Sequence, residues 1–185
     1  MVAIAVMYFK RRFGEVMYVR SAVDNRRYLV RKLPDAQEAA DRLARLNRDL
    51  LALVHHMMAK YGRTRADVQQ LYKNYDPEAI SEGGVEHGYT SYSVNKGERI
   101  VLCIRQKDGA FVTHNVVMYV AIHELAHLMT HEVGHTDLFW TNFKFLLQEA
   151  IKLGLYTYQD FANDPQPYCG IDITSSVVDK NSEKR

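Results

Sequence analysis

The apolar positions of this chain change their period several times. Glu15 to Ser21 and Arg27 to Leu33 are short runs rich in Val, Tyr and Leu, separated by Asp24-Asn25, which predicts two strands and a turn. After Pro34 the spacing lengthens. Ala39, Leu43, Leu46, Leu50, Leu53, Met57 and Tyr61 recur every three or four residues, the stripe of a long helix packed on a core. Asp35 with Glu38 three residues on has the form of a capping box, and Gly62 supplies the stop. A shorter helix is expected from about Ala66 to Lys73, then a glycine-bearing loop from Ser81 to Gly88. Tyr89 to Val94 and Arg99 to Arg105 read as strands joined by a turn at Asn95-Lys96-Gly97. Val116 to Thr130 is dense enough in apolar residues for a buried helix capped by Asn115. Gly134 breaks it, and Thr136 caps a last helix, Asp137 to Leu153, closed by Gly154. Its stripe of Trp140, Phe143 and Leu147 should be core.

No repeat or linker divides this pattern. The expected fold class is α+β: a small antiparallel sheet packed with helices in one domain, residues 1–174, followed by a disordered tail, 175–185. With 185 residues, 47% hydrophobic and 25% charged, the chain can bury one core, which excludes a disordered or collagen-like protein. Val2 to Phe9 is far shorter than the roughly 20 residues that cross a bilayer, and no positive residues precede it as in a secretory signal. The expectation is no membrane span and an intracellular place, cytoplasm or nucleus; the alternative for this run, given Lys10, Arg11 and Arg12 behind it, is a short membrane-anchoring stub. Cys103 and Cys169 are too few for a disulfide scaffold and read as free thiols in a reducing compartment.

A net charge of +2 does not mark a dedicated nucleic-acid binder, yet it is unevenly spread. Lys10, Arg11, Arg12, Arg20, Arg26, Arg27, Arg31 and Lys32 face only Glu15 and Asp24. This basic stretch is either a solvated sheet face or a surface for phosphate, hence for DNA.

Half of the eight histidines fall between positions 123 and 135. His123-Glu124-Leu125-Ala126-His127 is the HExxH pattern: on a helix, residues four apart share a face, so two imidazoles converge on one ion, and Glu124 can reach a water beside it. On an otherwise apolar helix such groups are costly without a purpose, and zinc is the expected ion. A catalytic zinc takes three protein ligands and keeps one position open. His131 continues the spacing but lies about 12 Å from His123 along a regular helix. His135 follows Gly134, where the chain can turn back, and is the preferred third ligand; Asp137 and Glu149 are weaker candidates.

With Gly134-His135 and then Phe139-Trp140, this segment resembles the WLM-domain metallopeptidases, in which HExxH is followed by a third histidine and, four residues later, an aromatic pair. The stretch Val94-Asn95-Lys96-Gly97-Glu98-Arg99-Ile100-Val101-Leu102-Cys103-Ile104-Arg105 is similar to that family's Asn-x-Gly-x-x-Ile-x-Leu-x-x-Arg strand. SprT-like (spartan) proteases share the HExxH and the later Gly-His. The likeness covers roughly residues 89–154, with a gap from His127 to His135 a little longer than the family's. It implies a zincin-like protease domain and repair of protein–DNA crosslinks. No SUMO-binding or unfoldase-binding motif accompanies it here.

The mechanism implied is zinc-assisted hydrolysis of a protein substrate, with Glu124 as general base and His123, His127 and His135 as ligands. Arg99, Ile100, Val101, Leu102 and Arg105, on the second hairpin strand, can hold an extended substrate by strand addition or be an internal strand. His114 and Tyr168 are candidates to stabilise an oxyanion, although each suits a structural role. Two other functions compete: a zinc peptidase indifferent to DNA, and a zinc-stabilised binding module that does not cleave, against which the intact Glu124 argues.

Overall fold

The computed structural model describes residues 16–83, 91–95 and 97–179. The run Val2 to Phe9 and the cations Lys10, Arg11 and Arg12 lie outside them. Along the chain come β1 (Val16–Arg20), β2 (Arg27–Arg31), α1 (Ala36–Tyr61), α2 (Ala66–Asn74), β3 (Ile80–Glu82), β4 (Ser91–Val94), β5 (Arg99–Leu102), α3 (His114–Met129), α4 (Asp137–Lys152), β6 (Gln166–Tyr168) and β7 (Ile171–Ile173). None of these helices is long and apolar enough to cross a membrane.

The fold is α+β, but the main sheet is mixed, not antiparallel. Its order is β1-β2-β3-β5-β4, with antiparallel hairpins at the two ends and parallel pairing of β3 to β2 and to β5. The reason is β3, three residues in a stretch expected to be loop. The chain leaves β2, passes through α1 and α2, and returns in the same direction, which is how a helical crossover makes a parallel neighbour. Inserted between the two hairpins, β3 joins them into one sheet and makes β5 an internal strand.

The stripe on α1 is the core face: Ala39, Leu43, Leu46, Leu50, Leu53 and Met57 are buried together with Val68 and Leu71 of α2 and Ile80, Ile100 and Leu102 of the sheet. One polar residue interrupts it. Asn47 is fully buried and donates to the Tyr28 hydroxyl (2.8 Å) and the Pro77 carbonyl (2.9 Å) while accepting from the Tyr75 hydroxyl (2.6 Å). Those bonds offset its burial and tie β2, α1 and the turn after α2 together. The capping box does not form. Asp35 makes no side-chain bond to the helix; its carboxylate accepts from Arg105 at 2.6 Å, and Glu38 pairs with Arg42 instead. Ion pairing with a buried guanidinium outcompetes a cap.

Two glycine-dependent turns position the site. Gly97, at φ 114, closes the β4–β5 hairpin so tightly onto α2 that an added Cβ would stand 2.2 Å from the Asn74 carbonyl oxygen and 3.1 Å from Leu128 Cδ2. The hairpin is thereby docked on α2 and α3. Gly134, at φ 87, reverses the chain after α3. Thr136 then caps α4 as its sequence implies, accepting from the Phe139 N–H, whereas α3 begins two residues early, at His114, and Asn115 bonds the backbone of Thr157.

The C-terminal stretch holds the β6–β7 hairpin, which sequence periodicity does not reveal. Gln106 clamps it, donating to the Pro167 carbonyl (2.5 Å) and accepting from the Cys169 N–H (3.1 Å). Cys103 and Cys169 form a disulfide beside this clamp. They are not free thiols, and the argument for a reducing compartment that rested on free cysteines loses its basis. Residues 175–179, expected as the start of a disordered tail, pack on the domain: the Tyr119 hydroxyl donates to the Ser175 carbonyl, Ser176 donates to the Gln159 carbonyl, and Val178 is buried.

Candidate metal centre

His123 and His127 stand one turn apart on α3, and the reversal at Gly134 brings His135 back onto the same face. One nitrogen from each of the three rings lies within 4.8 Å of the others. His123 Nε2 and His135 Nε2 are 3.1 Å apart. Nitrogens bound to one zinc at 2.0–2.1 Å and tetrahedral angles stand about 3.3 Å apart. The His123–His135 pair stands close to that spacing, and the three nitrogens together form a group that could hold a metal ion.

The rings are held from the side by the first turn of α4. The Phe139 ring lies 4.3 Å from that of His127, 4.7 Å from His135 and 4.8 Å from His123. Trp140 approaches His135 at 5.4 Å and remains 42% exposed. It is not the core residue its stripe suggests; Phe143 and Leu147 are buried. Trp140 sits at the mouth of the cluster because α4 begins there, before it packs along α3.

The other candidates lie elsewhere. His131 is 72% exposed and faces Glu132. Glu149 is buried among His56 (2.8 Å), Lys60 (3.0 Å) and Lys152 (2.8 Å), so its carboxylate is already engaged. Asp137 is not among the three donors brought together. His114 pairs with Asp49 of α1 at 3.0 Å, at the far end of α3.

Burial pushes the pKa of His123 down to about 3, with the neighbouring His127 and His135 adding to the effect, which keeps the ring in its neutral, donor form. Glu124, 4% exposed, has its carboxyl raised to about 7 by burial, against hydrogen bonds from the Ser93 hydroxyl and the Ser93 backbone N–H that favour the ionised form. Tyr168 is buried close enough for Glu124 to raise its pKa further, and its hydroxyl lies 2.6 Å from Ser91 Oγ.

The hairpin strand expected to bind substrate cannot do so by strand addition. β5 is flanked by β3 and β4, and Ile100, Val101 and Leu102 are buried. Arg105 is 2% exposed and ion-paired with Glu82 (2.7 Å) and Asp35 (2.6 Å); Arg99 alone of the five is exposed. The outer strand on this side of the sheet is β4. In the basic stretch, Arg26 is engaged with Glu78 (2.8 Å) and Asp24 (3.5 Å), Arg20 donates to the Asn25 carbonyl, and Arg27 lies over the Tyr18 ring.

The sequence profile of the WLM domain matches residues 21–184. "Uncharacterized protein R325" of Acanthamoeba polyphaga mimivirus is 34% identical over 181 residues, 95% of this chain and 92% of the relative. "Uncharacterized protein 136R" of Invertebrate iridescent virus 6 is 39% identical over 80 residues, 42% of this chain and 44% of the relative. "Uncharacterized protein 042R" of Invertebrate iridescent virus 3 is 42% identical over 67 residues, 36% of this chain and 42% of the relative. No solved structure matches the chain.

Proposed function

The chain belongs to the WLM-domain family, and from that premise we propose that it is a zinc-dependent endopeptidase of zincin-like architecture. The observation that carries this reading is the convergence of three imidazole nitrogens within 4.8 Å beside a buried glutamate. His123, His127 and His135 would hold the ion, and the single domain extends at least through residue 179. A zinc ion so held lowers the pKa of a water toward neutrality and polarises a carbonyl.

The protein's own groups account for the rest. The Glu124 carboxylate takes the proton of the attacking water and passes it to the leaving amine. The Phe139 ring keeps the imidazoles turned inward and excludes water from their flank. An extended substrate would lie along β4, the outer strand, in place of β5.

DNA-bound or crosslinked proteins are the substrate class that the family's resemblance suggests, with the basic N-terminal stretch as the DNA contact. A second reading, a peptidase indifferent to DNA, is favoured by the engagement of Arg26 with Glu78 and Asp24. The test incubates the zinc-loaded protein with a protein bound to DNA, with and without single-stranded DNA. Cleavage should need zinc, and Glu124→Gln should keep zinc while lowering kcat by about 10²- to 10⁴-fold. Full activity in Glu124→Gln would refute the mechanism. Cleavage that ignores DNA would leave the second reading.

A further inference from the structure

The first turn of α4 carries two adjacent aromatic residues, Phe139 and Trp140, about 100° apart around a helix of about 3.6 residues per turn. Phe139 is fully buried against the three imidazoles, so its neighbour is turned toward the edge of the cluster. Rings hold the indole there: Phe139 at 5.1 Å, His135 at 5.4 Å, Phe143 at 6.3 Å and His123 at 6.5 Å. Those contacts fix its plane, yet 42% of the residue stays open to solvent.

Of the three histidines His135 is the exposed one, while His123 and His127 are half-buried. The cluster therefore opens beside His135. Val133, two residues earlier in the same loop, is 90% exposed. A single exposed apolar side chain is ordinary on a protein surface. Here one precedes His135 and another packs on its ring, which suits an apolar group arriving from solvent. A phosphate backbone finds little at this mouth. From Asp108 to Phe143 the chain has no Lys or Arg, and Glu132 and Asp137 border the histidine loop.

An extended peptide advances about 3.3 Å per residue. A chain drawn past His135 thus comes level with the indole within about two residues. An aromatic side chain there stacks on the indole or meets its edge, and a large aliphatic one covers it. Glycine or alanine leaves it wet.

We propose that Trp140 is a specificity-determining residue: its open indole receives an aromatic or large aliphatic side chain of the substrate, within about two residues of the scissile bond. The inference rests on the chain being a zinc endopeptidase and names the kind of peptide it cuts.

The test gives the zinc-loaded full chain, Trp140→Ala and Trp140→Phe an alanine-based peptide with one central phenylalanine and its all-alanine counterpart, with zinc content measured for each. The wild type should cut the first with kcat/KM about 10- to 100-fold higher, near the phenylalanine. Trp140→Ala should bring that ratio to about 1, and Trp140→Phe should keep most of it. Cleavage without preference, or a preference unchanged in Trp140→Ala, overturns the proposal alone. Cleavage of neither peptide by the wild type overturns the endopeptidase reading and the proposal together. Binding is read without turnover in Glu124→Gln, where the only tryptophan reports the contact. The phenylalanine peptide should shift its emission to the blue at about 10-fold lower concentration than the alanine peptide. Emission that neither peptide moves overturns the proposal, and quenching by oligothymidylate alone gives the indole to a nucleobase instead.

Discussion

His123 and His135 are twelve residues apart in the chain, yet their Nε2 atoms stand 3.1 Å from each other. At that distance the two ring nitrogens can share one proton, and a bound metal ion would take the proton's place. The pairing is specific to His135, since His131 is turned to solvent.

His135→Ala should therefore weaken zinc binding more than about 100-fold, and His131→Ala should change it little. Competition against a chelator measures both. Trp140 is the only tryptophan of the chain and lies 5.4 Å from His135, so its emission should change on zinc addition and Trp140→Phe should silence the signal. The opposite order of the two histidine variants would reassign the third ligand.

Gly97 and Gly109 make a matched pair. Both have positive φ, but a Cβ at Gly97 meets the Asn74 carbonyl oxygen at 2.2 Å while one at Gly109 meets nothing within 4 Å. Gly97→Ala should cost about 2–4 kcal/mol from strain and overlap together, and Gly109→Ala about 1 kcal/mol from strain alone. Denaturant unfolding of the two variants checks the difference; equal costs would mean that the hairpin turn is not seated on α2.

Glu149 gives the fold an acid limit. Burial alone would raise its pKa, but hydrogen bonds from Lys152, His56, Lys60 and Tyr61 outweigh this and bring it down to about 2 from an ordinary 4.5. Its folded-state pKa is depressed, so its contribution is whole above about pH 4.5 and is lost as pH falls toward 2. Glu149→Gln should destabilise the protein at pH 7 by about 1–3 kcal/mol, because its cationic partners are partly exposed. The gap between variant and wild type should close as melting is followed from pH 5 to pH 2. A constant gap would place the stabilisation in packing.

Reduction of the Cys103–Cys169 disulfide should lower stability by up to about 4 kcal/mol, the chain-entropy value for the 66 residues it spans. Unfolding in denaturant with and without a dithiol measures it, with Cys169→Ser as the permanent counterpart. No change on reduction would show that Gln106 and Tyr168 suffice to hold the hairpin.

What was readable in the sequence is what has a period or a pattern of its own. The stripe from Ala39 to Met57, the Thr136 cap and the four-residue step from His123 to His127 all report local geometry, and the structure reproduces them. β3 was hidden because three residues carry no alternation. Its absence from the sequence reading also made β5 look like a strand open to substrate. Arg105, a polar residue expected near substrate, is buried because Glu82 and Asp35, far off in the chain, compensate its charge. The disulfide depends wholly on where the C-terminal hairpin lands.

That disulfide also closes a covalent ring. The chain between Cys103 and Cys169 contains α3, the Gly134 reversal, α4 and the cluster of His123, His127 and His135. A single backbone cut anywhere within the ring, including one the protein makes in another copy of itself, leaves both pieces joined and the metal ligands on one covalent body. Such a nicked molecule would run at its full mass until a reductant is added, so a cut within the ring is visible only on a reducing gel.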